Sequence, residues 1–261
     1  MLQITPLFSG SSGNSVHIKH GKTELLIDAG VSFRAMCRAL SKIGTQIENI
    51  SCVLVTHEHS DHIHGLEMLC KKYRLPVYIN SRSADYVVSA GKYPFFSQCI
   101  KVFEPGTEML LDSLSVRAFR TPHDSCGSVG YRINCTDECD SFSYATDMGY
   151  VTRDIARNIF GSKTVVFESN HDPAMLKNGT YPDYLKRRIA SDYGHLSNSA
   201  CADFVPHLAE NGTKRIILAH LSKENNTAQK AYDSSTCALK HAGYGSVLLE
   251  VAPQSIIENE T

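Results

Sequence analysis

Apolar residues come along this chain in short bursts, and the ionisable residues gather where the bursts end. Runs rich in Val, Ile, Leu and Phe, or alternating apolar with polar, predict strands at Glu24–Ile27, Cys52–Val55, Val77–Ile79, Leu114–Phe119, Ser128–Ile133, Ser141–Ala145, Thr164–Phe167 and Arg215–Ala219. Between them a slower period predicts helices. Phe33, Met36, Cys37 and Leu40 make one face of a helix over Ser32–Lys42; Leu66–Tyr73 reads as a helix stopped by Pro76, and Ser83–Ala90 as another. Ala200, Phe204 and Leu208 mark a helix over Ser199–Glu210, capped by Ser197 or Asn198 and closed by Asn211-Gly212. Strands and helices alternate in both halves, so the expected fold is α/β: two similar layered halves packed face to face in one domain over residues 1–261.

The densest chemistry follows the strand Cys52–Val55, where His57-Glu58-His59-Ser60-Asp61-His62 spells H-x-H-x-D-H. In a loop leaving a strand, His57 and His59 share a side and can face one ion, while a tight bend turns Asp61 and His62 toward a second. Imidazole and carboxylate together suit zinc, manganese or iron. A polar surface loop is the plain alternative, but it rarely concentrates a scarce residue this way.

The other strand ends repeat the theme. Asp28-Ala29-Gly30 closes Glu24–Ile27, and on its own Asp28 reads as a turn or capping residue. Pro122-His123 follows Leu114–Phe119, Thr146-Asp147 follows Ser141–Ala145, and His220 follows Arg215–Ala219. If strands of this kind end on one rim, His123 lies beside the His loop. His171, after Thr164–Phe167, stays open between a substrate contact and a surface loop. His195 sits just ahead of the Ser199–Glu210 helix, where a positive helix end favours phosphate, although a His satisfying a loop carbonyl would look the same. Gly10-Ser11-Ser12-Gly13-Asn14-Ser15 is either a flexible hairpin connection or a nest whose small residues let backbone N–H groups reach a phosphate. The second reading makes Ser11, Ser12 and Asn14 substrate contacts.

Thr56-His57-Glu58-His59-Ser60-Asp61-His62 resembles the signature loop of the metallo-β-lactamase fold superfamily. The resemblance implies a four-layer αββα sandwich with a metal site at one rim of its sheets. It places Asp28 behind the His loop as support, His123 and Asp147 at the third and fourth motifs, and His220 as the last ligand. The implied site is dinuclear, with His57, His59 and His123 on one ion, Asp61, His62 and His220 on the other, and Asp147 bridging. Such a clamp holds a hydroxide nucleophile and offsets charge on the scissile group, and Asp61 and His195 are the candidate catalytic residues.

Branches of the superfamily are separated by their extra motifs. Ser11-Ser12-Gly13-Asn14-Ser15, Glu168-Ser169-Asn170-His171-Asp172, Gly194-His195-Leu196-Ser197-Asn198 and His220-Leu221-Ser222-Lys223-Glu224-Asn225-Asn226 resemble the YycJ/VicX/WalJ group. That resemblance implies a 5′-to-3′ exonuclease acting on DNA rather than RNA, with His195 on the substrate phosphate. Glyoxalase II thioesterases share the ligands and remain the alternative, as does a non-catalytic metal-binding regulator. True β-lactamases of the fold usually carry Cys where Asp147 stands. Only 48 residues separate Asp147 from His195, too few for the cap domain of β-CASP nucleases.

Composition changes this picture little. With a net charge of −1, no global field draws in a polyanion, so nucleic acid must be held locally. The Met1-Leu2-Gln3-Ile4 start has no signal-peptide pattern and no stretch approaches the ~18 apolar residues of a membrane span, so a cytoplasmic protein without membrane contact is expected. Nine cysteines without a C-x-x-C pair are expected to stay reduced, with Cys135 and Cys139 a possible pair for a structural zinc.

Overall fold

In the computed structural model, which describes residues 1–257, the strands form two sheets whose apolar faces meet. The first holds β1 (Gln3–Phe8), β2 (Ser15–His20), β3 (Thr23–Ile27), β4 (Ile50–Leu54), β5 (Val77–Ile79) and β6 (Ile100–Val102) in that spatial order. The second holds β7 (Glu108–Leu111), β8 (Leu114–Arg120), β9 (Val129–Cys135), β10 (Ser141–Ala145), β11 (Thr164–Glu168), β12 (Arg215–Ala219) and β13 (Leu248–Val251). Each sheet is antiparallel at one end, β1 to β3 and β7 to β10, and parallel over the rest.

Strand alternation builds the layers. In β3, Leu25 and Ile27 point between the sheets, where they meet Val116, Tyr131 and Phe142, while Leu26 points outward with Val53 and Val77. Burying each such side chain contributes roughly 1.5–3 kcal/mol, so a one-residue slip of register would lose several at once. The outer face of the first sheet is covered by α1 (Phe33–Lys42), α2 (Ser60–Ile63), α3 (Leu66–Tyr73), α4 (Ser81–Ser89) and α5 (Pro94–Cys99). The second sheet's outer face, with Val165, Phe167, Ile216 and Leu218, is covered by α6 (Arg153–Ile159), α9 (Asn198–Glu210) and α10 (Ala228–His241). Helix, sheet, sheet, helix is the four-layer order anticipated from the resemblance. Two short helices, α7 (Pro173–Asn178) and α8 (Asp183–Ile189), contribute no residue to either outer cluster, although Leu176 of α7 is buried.

Leu66–Tyr73, Val77–Ile79, Ser141–Ala145 and Arg215–Ala219 fall where the sequence places them. One boundary matters for function: β11 runs one residue further than expected, so Glu168 is a buried strand residue instead of the first residue of a loop. Parallel strands send their C-terminal ends to a common rim, where α/β sheets carry their ligands. The backbone leaves β3, β10 and β12 at that rim through left-handed turns at Asp28 (φ 60°), Asp147 (φ 57°) and His220 (φ 57°).

Candidate metal centre

On the first sheet the site is one loop and its brace. His57 and His59 lie in extended chain after β4, and the single turn of α2 carries Asp61 and His62 back beside them. Asp28, wholly buried behind this loop, accepts hydrogen bonds from the Thr56 amide (2.8 Å), the Thr56 hydroxyl (2.9 Å) and His62 Nδ1 (2.8 Å). Burial pushes the Asp28 carboxyl up, against the pull of His62 and Thr56. The backbone is stitched as tightly: the Ala29 amide donates to the His62 carbonyl at 2.9 Å. A Cβ on Gly30 would lie 1.6 Å from the Asp61 carbonyl oxygen, so no larger residue lets the two loops lie this close.

On the second sheet each group arrives on its own segment. His123 follows β8, Asp147 follows β10, Glu168 ends β11, His220 follows β12, and His195 precedes α9, whose N-cap is Ser197. The Glu168 carboxylate is fully buried. Its Oε1 accepts from His195 Nδ1 at 2.8 Å and from His220 Nδ1 at 3.0 Å, and its Oε2 accepts from the amides of Met148 (2.9 Å) and Leu196 (3.3 Å). Burial alone would raise its pKa; His195 and His220 hold it down at about 2.

These bonds fix the tautomers of the imidazoles. His62, His123 and His220 each engage Nδ1, with Asp28, the Gly194 carbonyl (3.1 Å) and Glu168 respectively, which turns the Nε2 lone pair of each ring toward the cluster, that of His62 lying 3.1 Å from Asn14 Nδ2. His57 and His123 are pushed toward the neutral form by burial, the state in which imidazole binds metal. His57, His59 and His123 offer donor atoms all within 4.8 Å of one another, as do Asp61, His62 and His220. Asp147 lies between the groups, 3.6 Å from His62 Nε2 and 3.8 Å from His123 Nε2. His220 Nε2 is buried without a hydrogen-bond partner, 3.8 Å from Asp61. An orphaned imidazole nitrogen facing carboxylates in a buried cluster fits a divalent cation, and the donor set is hard to account for otherwise.

A protein-family model described as the β-lactamase superfamily domain matches residues 23–221. The chain belongs to that superfamily. It is 37% identical over 242 residues to the exodeoxyribonuclease WalJ of Streptococcus pneumoniae, covering 92% of this chain and 88% of that one. Against the exodeoxyribonuclease YycJ of Bacillus anthracis the identity is 37% over 245 residues, or 94% and 91% of the two chains. The chain is similar in fold to the Zn(2+)-bound PqqB of Methylobacterium extorquens, with a TM-score of 0.71 at 16% identity, over 98% of this chain and 99% of that chain.

Around this superfamily site lies a cavity of about 250 Å³ lined by His59, Asp61, His123, Asp147, His195 and His220, with Ser11 at its edge and Tyr181, Leu185, Arg188 and Ile189 as one wall. The other substrate contacts expected from the sequence fall elsewhere. Asn14 is 1% exposed, and its side chain accepts from the Gly10 amide and donates toward Asp61, so it braces the His loop and does not reach a ligand in the cavity. In the loop around it the amides of Gly10, Gly13 and Asn14 are used within the protein. Ser12 lines an adjoining cleft beside Ser60 and His64, which shares Ser11 and Asp61 with the cavity. His171 is buried and lines a second cavity, outside the metal cluster. Cys135 packs against His20, and Cys139 is exposed.

Two features were not anticipated. Glu168 stood in a quoted motif without a role, and only its hydrogen bonds to two distant imidazoles reveal one. The wall of the cavity, α8, buries no residue completely, so it has no apolar stripe to betray it in the sequence.

Proposed function

We propose that the chain is a metal-dependent exodeoxyribonuclease with two divalent ions, zinc or manganese and less naturally iron. His57, His59 and His123 would hold one ion, Asp61, His62 and His220 the other, and Asp147 would lie between them. Bound there, the ions activate water and offset charge on the phosphoryl oxygens. The names of the relatives support DNA as substrate. The observation that carries the reading is His195: it lines the same cavity as the metal donors, its Nδ1 is pinned to Glu168 at 2.8 Å, and its Nε2 is left for substrate.

From that position His195 can hold a non-bridging phosphate oxygen or deliver the Nε2 proton to the leaving oxygen, and Glu168 keeps the ring turned for either. Arg188, held by its ion pair with Asp124 and lining the cavity, can offer its remaining guanidinium N–H groups to a phosphate of the strand. A thioesterase needs the metal donors but has no use for a second, carboxylate-braced imidazole beside them. Among the described residues no helix is long and apolar enough to cross a membrane.

The test is digestion of end-labelled single- and double-stranded DNA and RNA with manganese or zinc added, alongside a lactoylglutathione thioester. Release of mononucleotides from DNA ends, abolished by chelator, is expected. Thioester turnover without DNA cleavage would overturn the assignment.

A further inference from the structure

The helix α8 presents opposite faces to two cavities. Leu185, Arg188 and Ile189 line the metal-site cavity, while Asp183, Lys186, Arg187 and Ala190 line a second cavity of about 340 Å³, floored by His171, Pro173 and Leu176 with Lys177 at its side. At ~100° per residue these two sets point in nearly opposite directions, and Tyr184 falls between them on the ridge, 68% exposed. The second cavity joins an apolar floor to three cationic side chains against one carboxylate, Asp183. Lys186 is held to the Lys177 carbonyl at 3.0 Å, whereas the side chains of Arg187 and Lys177 have no hydrogen bond or ion pair among the described residues. His171 Nδ1 is buried there without a partner.

We propose that α8 is a ridge over which a single DNA strand runs from the metal site into this second cavity, with one base stacked on Tyr184 and the phosphates beyond it on Arg187, Lys186 and Lys177. The proposal rests on the nuclease reading and adds to it the form of the substrate. Stacking on an exposed ring requires an unpaired base, which a duplex does not offer. A helix with its side chains is about 10–12 Å across and a strand advances about 3.4 Å per nucleotide, so about three nucleotides separate the cavities. The second cavity therefore engages strands of about four nucleotides and longer, and a dinucleotide cannot reach it.

The experiment compares KM and kcat of the intact, metal-loaded protein on a thymidine dinucleotide and an octanucleotide. Wild type should prefer the octanucleotide through KM. Arg187→Glu and Tyr184→Ala should each raise the octanucleotide KM about tenfold and erase that preference, and Tyr184→Phe should keep it because the ring remains. Arg187→Ala should also flatten the salt dependence of octanucleotide binding by about 0.7 in log–log slope, one phosphate contact on a single strand. If both DNAs are cleaved but wild type shows no length preference, or the variants leave the octanucleotide KM unmoved, the ridge is overturned and the nuclease reading stands. If neither DNA is cleaved while the thioester is, both fall together.

Discussion

Asp28 and Glu168 stand at the ends of strands in the two sheets, both fully buried, Asp28 holding one imidazole in place and Glu168 two, and they organise very different amounts of chain. Asp28 braces one continuous loop: Thr56 and His62, its partners, bracket His57, His59 and Asp61. Glu168 reaches His195, 27 residues away, and His220, 52 residues away, which arrive on separate segments. The first sheet supplies a preassembled half-site whose parts stand or fall together. The second supplies parts that meet only in the finished fold, and there one carboxylate ties His220, the proposed metal donor, to His195, the proposed substrate contact. The two braces should therefore fail in different ways.

The largest effect is expected where the halves meet. Asp147→Ala should bring turnover to background while leaving the melting temperature near that of the wild type, because it removes the group between the ions and no apolar packing. Near-normal turnover with two metals still bound would break the comparison at its centre. His195→Ala should keep both metals, measured by elemental analysis, and lower kcat by about 10²- to 10⁴-fold. A loss larger on DNA than on bis-p-nitrophenyl phosphate marks proton delivery, since p-nitrophenolate needs none, and an equal loss marks phosphate binding.

Exchanging the braces sharpens the contrast. Asp28→Ala should weaken metal affinity by about 10- to 100-fold and leave the leaving-group dependence of His195 intact, whereas Glu168→Gln should disturb both together. Identical behaviour of the two variants would show that the halves are not distinct. The smallest effect belongs to a carboxylate–imidazole pair far from the rim. Glu24 accepts from His17 (2.9 Å), Lys19 (2.7 Å) and Thr45 (2.6 Å). Burial pushes its pKa up, but Lys19, Thr45 and His17 together hold it below the usual carboxylate range. Its stabilisation is thus fully present above the unfolded value of ~4.3 and is lost as pH falls through the lower folded value. His17, pushed down by burial, adds a loss in the same direction that begins below ~6.5. Glu24→Gln should lower the unfolding free energy by about 1–3 kcal/mol at neutral pH, the difference should shrink on acidification, and metal affinity should not move.

What could be read from the sequence follows the same division. His57, His59, Asp61 and His62 announce a metal because their spacing is local, and the strands behind them are legible because alternation is local as well. His123, Asp147 and His220 carry little signal one at a time and needed the family resemblance to be joined. Glu168 could not be assigned, since nothing near it in the chain says that its partners lie beyond α8 and beyond β12. Asn14 carries no decisive local signal, because Gly, Ser and Asn compose a phosphate nest and a loop brace equally well; its hydrogen bonds to Asp61 are a tertiary fact. The ridge at α8 was silent for want of a buried face.

Three of the five non-glycine residues with positive φ among the described residues are Asp28, Asp147 and His220. An L-residue in that conformation costs roughly 1–2 kcal/mol, less for Asp than for His. Asp28 recovers that cost through its three hydrogen bonds, so durability and chemistry compete at Asp147 and His220. Metal-free protein selected from a random library for heat resistance alone should accumulate Gly or Asn at those two positions and keep Asp28, and a lineage released from selection for turnover should drift the same way, becoming sturdier as it loses its trade.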